Sequence, residues 1–441
     1  MIYYATLLFF VFEYIRPGAY VPGLDALHLN AIVPLTCILG TLLAKTPVSN
    51  RQFWAEPNTL IFGTMLGLLG LSVVFAPVTK TAWDVTVTVL EYMFIYWVLI
   101  RQTGDLRRLK GVFITLILVH VVISALNPAV FMEWESRVGL NSGSFLGDGN
   151  DFSLSLNICI PLCLFLLQES KKKIHKVFWS GTLLALVVAV IATKSRGGTV
   201  ALASLGLYYW LKSQKKAQTA VLFVVLLAVV VAIAPRSYFE RMSSMADTEE
   251  GSTQGRIIAW KASVQMAIAN PLLGAGAGHF PIAYGTRYHV EGTPWLTAHS
   301  IYFLALGELG FPGLAVLLTF IFWNLAAHRR LVRETMRLPP DRALQARNVL
   351  ACTSAALVAF ASGGVFLSAV YYPHMYVLAG LLGAARHVVR MEIEAGERAV
   401  DGLPALQTRP VTGSLGPYDI SPEWNPRLAL TIARERPSRS A

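Results

Sequence analysis

Three short stretches of this chain combine charge, small residues and a titratable ring in ways that suit chemistry on an anion and a hydroxyl. The first is Lys194-Ser195-Arg196-Gly197-Gly198, set between two apolar runs. Two glycines beside Arg196 leave backbone amides open, and an arginine presents a planar fork of donors that matches phosphate oxygens. The alternative is an arginine snorkelling to lipid headgroups. The second is Gln254-Gly255-Arg256, read as the opening of a helix. A cation there opposes the helix dipole unless an anion sits beside it; the alternative is a solvated surface arginine. The third is Thr297-Ala298-His299-Ser300, the last polar group before a long apolar run. A neutral His299 could take the proton of an attacking hydroxyl, or it could be an interfacial histidine with a satisfied hydrogen bond. His279 and His289 are rivals in the same stretch.

Other features say less. Gly274-Ala275-Gly276-Ala277-Gly278 has no preceding strand, so it is read as a flexible glycine-rich turn and not as a dinucleotide fingerprint. Asp148, Asn150 and Asp151 could hold a divalent cation, but their spacing matches no EF-hand loop, and no metal is expected. Neither G-x-S-x-G nor H-E-x-x-H occurs. Cys37, Cys159, Cys163 and Cys352 all lie in apolar runs and read as packing residues.

The elements that must position these groups are membrane spans. The chain is 54% hydrophobic and 14% charged, with mean hydropathy +0.53, far from the composition of a soluble domain. Runs long enough to cross a bilayer give about twelve expected spans. They fall near 2–15, 27–44, 58–77, 83–100, 109–127, 152–168, 176–193, 198–211, 217–235, 300–323, 347–368 and 370–388. Pro34 and Pro161 fall inside spans, where proline kinks helices. The first span lacks a basic flank and a cleavage site, so it is expected to be retained.

The net charge of +11 lies in short clusters in every second loop: Arg101-Arg107-Arg108, Lys171-Lys172-Lys173, Lys212-Lys215-Lys216 and Arg329-Arg330-Arg333. That alternation follows the positive-inside rule and places both termini in the cytoplasm. It also accounts for the basic balance without nucleic acid. Residues 128–151 and 236–299 are then long loops on the other side, the second too long for a mere connector. Within it, Ile257, Trp260, Val264 and Ala267-Ile268 follow helical spacing and predict an amphipathic helix, ended by Asn270-Pro271. From about 391 the chain turns rich in Pro, Arg, Gly and Ser, and a mostly disordered cytoplasmic tail is expected over 391–441.

The run GRIIAWKASVQMAIANPLLGAGAGHF, followed by TAHSIYFLALGELGFPG, resembles the signature region of the O-antigen ligase and polymerase superfamily. The matching positions are Gly255-Arg256, Pro271 with Gly274 and Gly276, His299, and Glu308-Leu309-Gly310-Phe311-Pro312-Gly313. Ser195-Arg196-Gly197-Gly198 resembles the family's short arginine hairpin, and GSFLGDGNDF its asparagine segment, with Asn150 as the match. The resemblance covers about residues 1–390. It departs at Ser300, where many ligases carry asparagine after the histidine.

The resemblance implies an all-α, GT-C-like polytopic membrane protein whose catalytic domain is 1–390, with a large helical periplasmic loop at 236–299. It implies a metal-independent, inverting glycosyltransferase of a Gram-negative inner membrane, without cofactor. The donor would be a glycan on undecaprenyl diphosphate and the acceptor a hydroxyl, foremost that of lipid A core. Arg196 and Arg256 would bind the diphosphate, and His299 would be catalytic. Ser300, Asn150, Gly255 and His289 would support them. A polymerase of the same superfamily and a protein O-oligosaccharyltransferase share this donor chemistry. A polysaccharide flippase is the reading from another class; it would carry charge deep in several spans.

Overall fold

The computed structural model of the chain describes residues 1–128, 140, 145–221, 224, 234, 236–243, 251–291 and 295–400. Among these there is helix and loop, and no strand. The helices are α1 (Ile2–Ile15), α2 (Leu29–Leu43), α3 (Asn50–Trp54), α4 (Pro57–Phe75), α5 (Thr79–Gln102), α6 (Leu106–Leu126) and α7 (Gly149–Glu169). There follow α8 (Lys173–Ala192), α9 (Arg196–Lys212), α10 (Arg236–Ser243), α11 (Gly251–Ala269), α12 (Ile301–Glu334), α13 (Pro340–Gly363) and α14 (Pro373–Val400). Eight helical stretches are long and apolar enough to cross a membrane, and α1 is a shorter apolar helix. The chain is a multi-pass helical membrane protein.

The expected spans coincide with helices, with one exception, but α9 and α14 are not among the eight stretches long and apolar enough to cross a membrane in the described residues. The run 217–235 lies largely outside the described residues, as do Glu133, Glu135 and most of 128–151. Two helices run well past their expected ends: α12 reaches Glu334 and takes in Arg329, Arg330 and Arg333, which were expected in a loop. The last helix continues to Val400, so the expected tail begins helical; residues 401–441 lie outside the described residues. Pro34 and Pro161 sit within continuous α2 and α7. The break falls instead in α12 at Gly310, with φ 65° and ψ −162°.

Among the described residues two large apolar cores fill the bundle, and a smaller third, with Leu331, Leu350 and Val389, joins α12, α13 and α14. One large core draws on α1, α6 and α8, the other on α4, α11 and α12, with α5, α7, α13 and α14 contributing to both. The central helix is α7, whose Phe152, Leu154, Leu156, Leu162 and Phe165 are all buried; a helix apolar on every side belongs inside. Leu60, Val74 and Phe75 of α4 and Ile174 and Val177 of α8 stay exposed, as surfaces that meet lipid do. Close approach depends on small residues: a Cβ on Gly363 would come within 2.8 Å of Leu154 and 3.2 Å of Ala201, so α13 packs tightly on α7 and α9. All four cysteines are free and buried.

Far from the stretches singled out above, a polar cluster pins α4, α12 and α14. Arg386 is fully buried, pairs with Glu56, and donates to Asn324 Oδ1 at 2.6 Å. Asn324 Nδ2 donates to Asn58 Oδ1 at 2.8 Å. Composition gave no hint of this pair, because its members are 330 residues apart.

Candidate active site

The Ser195 hydroxyl caps α9 by accepting from the Gly198 N–H at 3.1 Å, and it donates to Asn150 Oδ1 at 2.8 Å. Asn150 is fixed in turn by Asp148, the cap of α7, which accepts the Asn150 N–H at 3.0 Å. Asn157 Nδ2 donates to the Gly198 carbonyl at 3.1 Å and locks the two helices together. Arg196 is thereby the first residue of α9 and is almost fully buried. Its Nη1 lies 3.5 Å from Thr253 Oγ1 on α11.

Thr253 stands one turn before Arg256. Because α11 begins at Gly251, Arg256 lies in its second turn and does not open the helix. The expected argument from a helix N-terminus therefore fails at Gly255-Arg256 and applies instead to Arg196, the first residue of α9, where the positive end of the helix dipole favours an anion. Gly255 is not sterically required: a Cβ there would meet Leu296 at an ordinary 3.5 Å. The expected apolar face of α11 is also rotated. Val264 and Ile268 are exposed, while Ala259, Ala262, Ser263 and Met266 are buried. Small residues face α12 because the two backbones run close together: a Cβ on Gly307 would lie 3.2 Å from the Ser263 Cα.

Arg256 and the residue after Arg196 both lie against Phe366, which carries no charge or motif to mark it in the sequence. The Arg256 guanidinium lies over the Phe366 ring, 5.5 Å from its centroid. A Cβ on Gly197 would lie 3.1 Å from Phe366 Cβ and 3.3 Å from the Gly363 carbonyl. Two residues on, Ser368 Oγ accepts the His299 N–H at 2.8 Å. The segment 363–368 thus touches the Arg196 hairpin, Arg256 and His299. Its one sequence signal is the Gly363-Gly364 pair at the end of a span, which marks a close approach: a Cβ on Gly364 would meet the Ile301 side chain at 2.5 Å.

His299 is exposed and holds φ 46°, unusual for a residue with a Cβ. The neighbouring Ala298 carbonyl accepts from Trp260 Nε1 at 3.0 Å, and Trp260 stacks on Phe303 with centroids 4.8 Å apart. Helix α11 thereby sets both Arg256 and the backbone at His299. Ser300 is buried at the cap of α12, yet its hydroxyl makes no cap hydrogen bond. His289 is exposed and meets Tyr284 edge-on at 5.9 Å.

The turn after α11 is fixed, contrary to the expected flexibility. Gly274, Gly276 and Gly278 all take positive φ. The Ala275 and Gly276 N–H groups donate to the carbonyls of Gly307 and Glu308 at 2.8 and 3.0 Å, and Phe311 N–H to Pro271 at 2.9 Å. Buried Glu308 accepts from the N–H groups of Gly278 and Phe280 at 2.7 and 2.8 Å. His279, a rival candidate, is consumed structurally. Its Nε2 accepts from Val78 N–H at 3.0 Å, and its Nδ1 donates to the Ala277 carbonyl at 2.8 Å. Among the described residues no group of three or more His, Cys, Asp and Glu side chains is placed to hold a metal.

Residues 181–318 match the family model described as O-antigen ligase. Arg196, Arg256 and His299 all fall within the match, while Phe366 and Ser368 fall outside it. No curated protein matches the chain.

Proposed function

The chain carries an O-antigen ligase family domain over residues 181–318, and from that premise we propose that it transfers a glycan en bloc from undecaprenyl diphosphate to a hydroxyl of lipid A core. One observation carries this reading: Arg196, Arg256 and His299, distant in sequence, are gathered by the single segment 363–368. Two guanidiniums and the amides of the α9 N-terminus supply positive charge where a diphosphate leaving group gains negative charge. That role is the one a divalent cation would otherwise fill. The reading places the site at the periplasmic face of the inner membrane with both termini cytoplasmic, supported by the basic loops on the opposite side.

The chemistry follows from the charges. The acceptor oxygen attacks the anomeric carbon, and its proton passes to the His299 imidazole. The bond from that carbon to the diphosphate oxygen breaks, its electron pair stays with the diphosphate, and Arg196 and Arg256 neutralise the product. Displacement in line inverts the anomeric centre. Ser300 and Asn150 support the histidine and the arginine hairpin respectively; Gly255 and His289 border the same loop.

The experiment is transfer by purified protein from undecaprenyl-diphosphate glycan to core lipid, in a chelator and without nucleotide. His299→Ala, Arg196→Ala and Arg256→Ala should each lower kcat/KM by roughly a hundredfold or more. Wild-type rates in all three would overturn the site. Glycan-on-glycan products formed without core lipid would make the chain a polymerase, and modification of an added protein hydroxyl would make it a protein glycosyltransferase.

A further inference from the structure

A groove of about 340 Å³ lies between the end of α4, the end of α11, residues 273–279 of the following turn and residues 282–288. One wall is apolar, built from Phe75, Pro77, Met266 and Leu273; the other carries Asn270, Thr286, Arg287 and Tyr288. No carboxylate lines it, and among the described residues Arg287 makes no ion pair. The apolar wall runs on into Val74 and Phe75, 71% and 69% exposed, on the face of α4 that meets lipid. A cation beside an apolar wall that opens to lipid fits an amphiphile with an anionic headgroup.

The floor of the groove is already committed. The Gly274 N–H donates to the Asn270 carbonyl at 2.8 Å, and the next two amides donate to α12. Both ring nitrogens of His279 are engaged. The groove is therefore preformed, and the exposed Arg287 guanidinium is the one charged group on its wall. Met266 stands ten residues from Arg256 on α11, roughly 15 Å along the axis. The groove is too far away to be a second contact for the same diphosphate. Its floor touches α12 at Gly307, eight residues from His299, or roughly 12 Å, a span that an oligosaccharide attached to a lipid headgroup can bridge.

We propose that this groove seats the phosphorylated headgroup of the acceptor lipid, with Arg287 contacting the phosphate while the attached oligosaccharide reaches His299. The assignment rests on the transferase reading for the identity of the acceptor and adds where that acceptor binds. Donor diphosphate and acceptor headgroup are then held at separate places along α11, which leaves the acceptor oligosaccharide to bring its hydroxyl to the reacting carbon.

The test is equilibrium binding of fluorescent core–lipid A to the full chain in nanodiscs, with no donor present, so that it reads out independently of transfer. Arg287→Ala, and Ala283→Trp to fill the groove, should each raise the Kd for core–lipid A about tenfold, the loss expected for a charge-assisted contact. The Kd for undecaprenyl-diphosphate glycan should stay unchanged. Dephosphorylated core–lipid A should bind the wild type as weakly as the phosphorylated form binds Arg287→Ala. Unchanged core–lipid A affinity in both variants, or weakened donor binding in place of it, would overturn the proposal. Failure of wild-type transfer alongside Arg287-dependent binding would instead count against the transferase reading alone.

Discussion

The guanidinium of Arg256 lies over the ring of Phe366, and the same phenylalanine backs onto Gly197, next to Arg196. One aromatic side chain therefore touches both Arg256 and the first turn of α9, which begins at Arg196. A cation over an aromatic face gains about 0.5–2 kcal/mol, depending on desolvation. Phe366→Leu keeps much of the bulk and loses that gain. Donor KM should rise roughly two- to thirtyfold, and Phe366→Tyr should stay near wild type. Steady-state kinetics over donor concentration decide it; an unchanged KM in Phe366→Leu would show that the contact does not position Arg256.

Ser368 acts on His299 through its backbone. Its hydroxyl accepts the His299 N–H at 2.8 Å while His299 holds φ 46°. A left-handed residue with a Cβ is held at a cost of order 1–3 kcal/mol, offset by its surroundings. Ser368→Ala removes one hydrogen bond, worth about 1 kcal/mol, and frees the ring to relax away from the acceptor. We expect kcat to fall about fivefold with donor KM unmoved, and Ser368→Thr to restore most of it. A fall in donor KM or kcat equal in both variants would mean a packing defect rather than loss of the hydrogen bond.

The helices and the three charged stretches were legible because hydropathy and charge are local properties of the chain. Arg196 and His299 stood out as polar groups at the edges of apolar runs. Phe366 and Ser368 did not, because an aromatic and a serine at the end of a span are unremarkable until α13 packs on α7. The face of α11 was misjudged for a related reason. Periodicity marks Val264 and Ile268 as apolar, but only the close approach of Gly307 makes Ala259, Ala262 and Ser263 the buried side. Glycine at 274 and 276 suggested freedom; the hydrogen bonds to α12 make it a geometric requirement instead.

Gly310 is the point where that requirement is sharpest. Its φ of 65° lets α12 break, and a Cβ there would lie 2.3 Å from the Pro271 carbonyl oxygen. That carbonyl accepts from Phe311 N–H, so the turn cannot simply withdraw. Gly310→Ala should destabilise the protein by about 1–3 kcal/mol from backbone strain alone, with the clash adding to it. Thermal unfolding in detergent should show a lower Tm, whereas Gly67→Ala, in open space within α4, should not. Equal Tm for Gly310→Ala and wild type would mean that the break can straighten at no cost.

At the other end of the bundle, Arg386 is wholly buried between Glu56 and Asn324, with its guanidinium over Trp323 at 5.1 Å. Two ions taken from water gain little net stability when paired, but removing one leaves the other buried and unmatched, at about 3–5 kcal/mol. Arg386→Met should therefore be far more damaging than the double variant Arg386→Met with Glu56→Gln, in which neither residue carries charge. The pair ties α14 to the start of α4, far from His299, so surviving Arg386→Met protein should keep its donor KM. The comparison needs only Tm and KM for wild type, single and double variants. If the double variant unfolds as readily as the single, the loss comes from packing and hydrogen bonds to Asn324, and the stranded charge is not what destabilises the single variant.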